Sequence, residues 1–222
     1  MLSKEHVLKL YSFFNSSASY RVRIALNLKG IDTEYVGVNI RQKANLEQDY
    51  VQQHNPAGLV PALTDGDFNL GQSLAILDYL DSKYPQVQLL PRDNLEQRAR
   101  ILEFISLIAC EIHPINNLRV LRYLQDELNV SEAQKTQWYH HWVKEGLTAA
   151  ELLLQKYGDN DQWCFGDKPT LADCYLIPQL ANAERMKCDL SAYPRLMAIA
   201  KNAAVHPAFI KAAPQNQPDF IG

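Results

Sequence analysis

One stretch decides how this chain folds, and it reads Asn15-Ser16-Ser17-Ala18-Ser19-Tyr20-Arg21-Val22-Arg23-Ile24-Ala25-Leu26. The apolar run before it, residues 7–14, predicts a β-strand, and the residues after the serines have the apolar spacing of a helix. Serine is a favoured N-cap, because its side-chain oxygen accepts an orphan backbone N–H at the start of a helix. The same terminus is electropositive. The serines therefore either cap the helix alone or also donate to an anion.

The segments that follow continue an alternation of strands and helices. The first helix is predicted to end at Lys29-Gly30, because glycine adopts the left-handed conformation of a C′ residue without penalty. A short strand is predicted over 34–38 and a more polar helix over 43–53. This order favours parallel pairing of the two strands through a right-handed crossover.

The next segment, residues 58–70, predicts a β-hairpin. Two apolar runs flank Asp65-Gly66, a dipeptide typical of hairpin turns. Pro61 opens the first run, where its missing N–H is tolerated, and the sequence leaves open whether the Val60–Pro61 bond is cis. An amphipathic helix is predicted over 72–80. Gln72 and Ser73 at its start are either ordinary caps or donors to a ligand carboxylate.

The second half of the chain shows only helical patterns. A proline-bounded stretch over 85–93 predicts a linker between a first domain, residues 1–84, and an all-helical domain, residues 94–222. The last residues of that domain, 214–222, are expected to form a loose tail.

Long helices are predicted over 94–128 and 131–157, and another begins after Thr170. Ser131 and Thr170 each start a capping-box pattern, in which the residue three positions on bonds back to the cap. In the second pattern that residue is Asp173, and we expect its role to be structural.

The composition excludes several classes of partner. The 222 residues are 47% hydrophobic and 21% charged, which is ordinary for a globular protein. A net charge of −3 with scattered Lys and Arg gives no footprint for nucleic acid. No apolar run approaches the roughly 18 residues of a membrane helix, and residues 1–6 lack the pattern of a secretory signal. We expect a cytoplasmic protein with no nucleic-acid or membrane partner.

The four cysteines predict neither disulfides nor a metal site. They form no CxxC pair and no zinc-ligand spacing with histidine. Cys110 and Cys174 lie in apolar helical stretches, where a free thiol behaves as a small hydrophobe. We expect buried structural thiols.

Together these motifs resemble the zeta class of glutathione transferases, over about residues 7–218. Residues 16–26 are similar to the class signature, in which two serines and a cysteine precede an aromatic residue and Arg-Val-Arg-Ile-Ala-Leu. The chain departs from it at Ala18, where the signature has the cysteine. Further matches are Asn55-Pro56, Val60-Pro61, Gln72-Ser73-Leu74-Ala75-Ile76, His113-Pro114-Ile115-Asn116-Asn117-Leu118 and Ala181-Asn182-Ala183-Glu184-Arg185.

The resemblance implies an α/β plus all-α fold, with a thioredoxin-like domain of order β-α-β-α-β-β-α before an all-helical domain. It implies that the first domain binds glutathione. Ser16, with Ser17 beside it, would stabilise the glutathione thiolate. Val60, before a Pro61 that is cis in the family, would pair with the cysteinyl part. Gln72 and Ser73 would hold the γ-glutamyl end.

The helical domain is implied to supply the remaining contacts. His113 and Asn117 would touch glutathione, and Arg185 would anchor the carboxylate of an acidic substrate, with Arg119 as a weaker candidate. Without the resemblance, His113 is a satisfied helix residue and Arg185 a surface charge. Arg21 and Arg23 are expected to form salt bridges or to snorkel along their helix, and Tyr11 to serve packing.

The implied activity is the glutathione-dependent cis–trans isomerisation of maleylacetoacetate to fumarylacetoacetate in tyrosine and phenylalanine breakdown. A thiolate that adds to the C=C leaves a single bond, which rotates before the thiolate departs. Glutathione supplies that sulfur, so Ala18 is no obstacle. The alternatives are maleylpyruvate isomerisation, general glutathione transfer and a non-enzymatic binding module. Asn15 disfavours the first of these, because those enzymes tend to carry Arg there. The family implies a homodimer.

Overall fold

The computed structural model describes residues 7–221. Residues 1–6, in which no secretory signal was found, lie outside the described residues, as does Gly222. The chain divides into two compact units: Met1–Leu89 with Val205–Gly222, and Leu90–Ala204. The boundary at Leu89 and Leu90 falls inside the predicted linker over 85–93.

The first unit contains a four-stranded sheet of order β2-β1-β3-β4. Its strands are β1 (Leu8–Ser12), β2 (Thr33–Gly37), β3 (Ala62–Asp65) and β4 (Phe68–Gly71). β1 pairs in parallel with β2, as the strand–helix–strand order predicted, and antiparallel with β3. β3 and β4 form the predicted hairpin, whose last paired residues, Asp65 and Phe68, leave Gly66 and Asp67 in the turn.

Three helices accompany this sheet in the order expected: α1 (Ser17–Lys29), α2 (Gln48–Gln53) and α3 (Ser73–Lys83). α1 ends at Gly30, whose φ of 65° is the left-handed conformation that a C-cap glycine supplies. The helix predicted over 43–53 is shorter than expected. Lys43, at φ 63°, separates two short 3₁₀ turns, Ile40–Gln42 and Ala44–Leu46, that precede α2.

The second unit is all-helical, as predicted. Its α-helices are α4 (Leu95–Ser106), α5 (His113–Asn116), α6 (Leu118–Asp126), α7 (Glu132–Tyr157), α8 (Leu171–Arg185) and α9 (Pro194–Ala203). The single helix predicted over 94–128 is interrupted by a π-helical turn, Leu107–Ile112, and by Asn117. The break has a local cause, because Pro114 lacks a ladder N–H and Asn117 Oδ1 caps α6 through Val120 N at 3.1 Å.

The last segment of the chain belongs to the first unit, so the predicted all-helical domain over 94–222 ends too late. Helix α10 (Pro207–Ala212) packs on α1, and Asn27 Nδ2 donates to Ala208 O at 3.0 Å. The prediction of a loose tail is wrong for the described residues from Pro214 to 221. They begin with a 3₁₀ turn, and the Asp219 carboxylate further along accepts hydrogen bonds from Phe14 N and from the Tyr35 hydroxyl.

All four cysteines are free thiols within the described residues. Cys164 and Cys174 are buried and Cys188 is half-buried, but Cys110 is exposed, against expectation. Cys110 lies in the π-helical turn, where the residues that face the core are Ile108 and Ile112.

Across residues 7–221, no helix is long and apolar enough to span a membrane. The same residues contain no group of three or more His, Cys, Asp or Glu that could hold a metal ion.

Candidate active site

Ser16 is the N-cap of α1. Its backbone is extended (φ −78°, ψ 116°), and its Oγ accepts the N–H of Ser19 at 3.2 Å. Ser16 is half-buried, whereas Ser17 is only 6% exposed. Capping uses a lone pair of the Ser16 oxygen and leaves its O–H to donate elsewhere. The two interpretations that the sequence left open, a cap and an anion donor, are therefore compatible.

The loop before Ser16 is held by Arg23. This guanidinium is 4% exposed and donates to Ser12 Oγ, Phe13 O, Phe14 O and Ala212 O at distances of 3.1, 3.3, 3.0 and 2.9 Å. Burial lowers the pKa of Arg23 to about 10, while the nearby Tyr35, Tyr20 and Asp219 oppose that shift. Of the two expectations for Arg23, salt bridges or snorkelling along its helix, snorkelling is wrong, because the guanidinium is buried and donates to loop carbonyls that need a donor.

Arg21 is also interior, with 2% of its surface exposed. Its Nη1 donates to Ser73 Oγ at 3.2 Å, so it connects the first turns of α1 with the start of α3. Sequence reasoning left this residue out of the site. The signal was available, because Arg-Val-Arg inside an otherwise apolar helix places two cations on buried positions.

Gln72, rather than Ser73, is the N-cap of α3. Its φ of 66° with ψ of 118° is rare for a residue other than glycine. Such strained residues cluster at ligand-binding and active sites. Ser73 is the first residue of the helix and is 7% exposed.

The Val60–Pro61 peptide bond is cis, as the resemblance implied. Val60 is 9% exposed, and only Pro61 separates it from Ala62, the first residue of β3. Tyr11, expected to serve packing, lies in β1 and stacks on His54, with ring centroids 4.0 Å apart.

Three side chains fix the backbone just before Val60. Asn45 Nδ2 donates to Gly58 O at 2.6 Å. Tyr50 Oη and Asn55 Nδ2 both donate to Leu59 O, at 2.7 and 2.8 Å. The sequence pointed to Asn55 only through the Asn55-Pro56 match to the zeta class. The other two carried no sequence signal, because nothing in a local pattern shows which carbonyl a side chain will reach.

The remaining predicted residues lie in the second unit. His113 is the first residue of α5 and is half-buried, and Asn117 is the N-cap of α6. Arg119 is exposed on α6. Arg185 is the last residue of α8 and is exposed, and its Nη2 donates to Asn182 Oδ1 at 3.1 Å.

The buried phenol of Tyr139 lies near both Arg185 and Cys188. Burial raises the pKa of Tyr139, and the charge of Arg185 opposes this shift. Burial also raises the pKa of Cys188 to about 11. The Cys188 thiol is therefore protonated at neutral pH and is a poor nucleophile.

Two family models match this chain. Residues 6–82 match the N-terminal domain of glutathione S-transferase, and residues 136–201 match its C-terminal domain. The chain is 48% identical over 214 residues to maleylacetoacetate isomerase of Pseudomonas aeruginosa, a match that covers 96% of this chain and 98% of the relative.

Solved structures give the same result. A zeta-class maleyl pyruvate isomerase in its holo form superposes with a TM-score of 0.92 at 41% identity, covering 96% of this chain and 100% of that one. Maleylacetoacetate isomerase of Anaeromyxobacter dehalogenans, with GSH bound in its active site, gives a TM-score of 0.86 at 35% identity, covering 98% and 99%. A second structure of that enzyme contains dicarboxyethyl glutathione and citrate in the active site.

Proposed function

Because this chain belongs to the glutathione S-transferase family and, within it, to the zeta class, we propose that it isomerises maleylacetoacetate to fumarylacetoacetate with glutathione as its cofactor. The observation that carries the proposal is the Ser16 hydroxyl at the N-terminus of α1, in a unit that has no thiol of its own.

The first unit offers groups that fit the chemistry of glutathione. Ser16 and the α1 N-terminus suit an anionic sulfur, because O–H and N–H donors favour the charged form of a thiol. The backbone before Val60, which side-chain hydrogen bonds hold at Gly58 and Leu59, suits the pairing of Val60 with a peptide. Gln72 and Ser73 begin α3, where N–H donors and the helix dipole favour a carboxylate. We propose that these residues hold the thiol, the cysteinyl part and the γ-glutamyl end.

When bound, glutathione supplies the thiolate that adds to the C=C and departs after rotation. A free thiol has a pKa of about 8.5, so the task of Ser16 is to keep the sulfur ionised near neutral pH. Residues 1–89 and 205–222 contain no cysteine. Ala18 is consistent with this division of labour, since the chain provides the donor and the cofactor provides the sulfur.

The second unit supplies cationic and amide donors. We propose that Arg185 anchors a carboxylate of the acidic substrate, because its planar guanidinium has further donors beyond the bond to Asn182. Arg119 is the weaker candidate. His113 and Asn117 are proposed to contact glutathione. The Asn117 oxygen is used to cap α6, which leaves its amide NH₂ to donate.

Maleylpyruvate is the second candidate substrate, since the zeta-class structure with a TM-score of 0.92 is a maleyl pyruvate isomerase. General glutathione transfer is the expected side activity. We further propose that the protein is a cytoplasmic homodimer, as the sequence resemblance implied. The relative kcat/KM values for maleylacetoacetate and maleylpyruvate decide between the two isomerase assignments.

The role of Ser16 is tested by two substitutions. We expect Ser16→Ala to lower kcat/KM for maleylacetoacetate by at least about tenfold, or about 1.4 kcal/mol of transition-state stabilisation. Ser16→Asp keeps an excellent N-cap but places a negative charge beside the thiolate. We expect it to be inactive while remaining folded. Ser131→Ala, which removes the N-cap hydroxyl of α7, is the matched control and should keep full activity.

Binding measurements separate the proposal from its rivals. Calorimetric titration with glutathione should show saturable binding, and its absence would reject the enzyme assignment in favour of a binding module. Full activity in Arg185→Ala would remove the role proposed for that residue.

A further inference from the structure

The loop that precedes Ser16 is hydrogen-bonded to a residue near the C-terminal end of the chain. Phe14 N donates to Asp219 Oδ2 at 3.1 Å, across 205 residues of sequence. The other oxygen of the same carboxylate, Oδ1, accepts the hydroxyl of Tyr35 in β2 at 2.6 Å. Asp219 therefore joins the backbone two residues before Ser16 to β2, an edge strand of the sheet.

Close packing and hydrogen bonds around Asp219 support this contact. A Cβ added at Gly37 would lie 3.3 Å from Asp219 Cβ, so a larger residue there would press on the aspartate. Phe220 places its ring edge-on to Phe14, with centroids 5.3 Å apart. Gln217 Nε2 donates to Lys211 O and Ala213 O, each at 2.9 Å, and so shapes the segment that carries Asp219.

Arg23 belongs to the same hydrogen-bond network as Asp219. It donates to the carbonyls of Phe13 and Phe14 and to that of Ala212, which ends α10. Its positive charge lies near Asp219 and Tyr35. The backbone of Phe14 is thus held on both sides: the Arg23 guanidinium donates to its carbonyl, and the Asp219 carboxylate accepts its N–H.

Fixing this loop matters because the loop sets the position of the Ser16 hydroxyl. Ser16 N itself donates to Phe13 O at 2.9 Å, and this hydrogen bond closes the turn from Phe13 to Ser16. A hydrogen bond to a thiolate weakens steeply with distance and angle. A small displacement of this turn therefore costs more in activity than in stability.

We propose that Asp219 is a positioning residue for Ser16, and that the segment from Ala212 to Phe220 is a strap that holds the turn in its active geometry. The inference rests on the thiolate-binding role proposed for Ser16. It adds a contribution from a part of the chain that the sequence predicted to be a loose tail.

The test uses the full-length chain and two readouts, kcat/KM and the pKa of the enzyme-bound glutathione thiol followed by the ultraviolet absorbance of the thiolate. We expect Asp219→Asn to lower kcat/KM about fivefold, less than the roughly hundredfold that a misplacement of about 1 Å can cost, and to raise the pKa of the bound thiol. Asp189→Asn is the matched control, because this exposed aspartate accepts Ser191 N at 2.9 Å in the second unit. It should leave both readouts unchanged.

A merely structural role for Asp219 predicts a different result. The variant would then be less stable, but its folded fraction would bind glutathione with an unchanged thiol pKa, and the proposal would be overturned. Should Asp219→Asn fail to fold, Tyr35→Phe decides, since it removes one of the two bonds to Asp219 and keeps the one to Phe14. A raised thiol pKa in that variant supports the strap, and an unchanged one rejects it.

The double variant Ser16→Ala with Asp219→Asn separates this inference from the proposed function. If Asp219 acts through Ser16, the double variant should show the thiol pKa of Ser16→Ala alone, because coupled residues are not additive. Additive effects would overturn the inference. If Ser16→Ala alone leaves the thiol pKa unchanged, the role proposed for Ser16 is the part that fails.

Discussion

At the scale of single residues, the first unit depends on a few buried polar side chains that satisfy backbone carbonyls. Arg23 alone serves three carbonyls and a hydroxyl. Asn45, Tyr50 and Asn55 do the same for the turn before Val60. Each of these side chains fixes a segment proposed to meet glutathione. A buried acceptor without a donor costs about 1–3 kcal/mol, so such residues contribute to stability as well as to geometry.

Replacing Arg23 with methionine tests this point. The substitution keeps an unbranched chain but leaves several buried acceptors without a donor, so we expect a loss of about 3 kcal/mol of unfolding free energy. Urea denaturation monitored by circular dichroism measures it. Arg119→Met, at an exposed position, should change stability by no more than about 0.5 kcal/mol. Equal effects of the two substitutions would contradict the role of Arg23.

At the scale of elements, several helix starts have the side-chain N-caps that sequence rules predict, and two of them make a natural comparison. Ser131 with Gln134 and Thr170 with Asp173 form complete capping boxes on α7 and α8. The first is exposed and the second buried. Asp173 accepts bonds from Thr170 N and from Cys164 N as well, at 2.7 and 2.8 Å, so it also ties the preceding loop to α8. These contacts agree with the structural role expected for Asp173.

Removing an N-cap hydroxyl should cost more unfolding free energy at a buried position than at an exposed one. We expect Thr170→Ala to lower the free energy of unfolding by about 2 kcal/mol and Ser131→Ala by about 0.5 kcal/mol, the two ends of the range for N-caps. The reason is that water replaces the lost bond only at the exposed cap. Denaturant titrations of both variants provide the comparison, and a larger loss at Ser131 would refute the argument.

At the scale of the whole molecule, binding and stability are linked. A ligand that binds only the folded state stabilises it by about 2.7 kcal/mol at a hundred times its dissociation constant. In a protein of this size that corresponds to a rise in Tm of about 5–10 °C. We expect glutathione to produce this shift in a thermal melt.

S-methylglutathione should also stabilise the protein, because it keeps the γ-glutamyl and peptide groups proposed to meet Gln72, Ser73 and Val60. Gln72→Ala should reduce the shift with both ligands. A melting temperature that is independent of glutathione would argue against the proposed glutathione site.

The sequence by itself determined the parts of this protein that depend on local chemistry. Apolar periodicity marked the strands and helices, and Gly30, Ser131 and Thr170 marked helix ends, because a cap acts on the backbone within a few residues. The hairpin near Asp65 and the helical second half followed in the same way. The motif around Ser16 was local too, although its pattern alone did not separate a cap from an anion donor.

The tertiary structure decided what joins distant parts of the chain. It returned residues 205–221 to the first unit, buried Arg21 and Arg23, and brought Asp219 to Phe14. These contacts leave no periodic signal, because a hydrogen bond across 205 residues depends on where two backbones meet and not on either neighbouring pattern. The sequence thus predicted a role for Ser16, and only the folded chain showed how its turn is held in place.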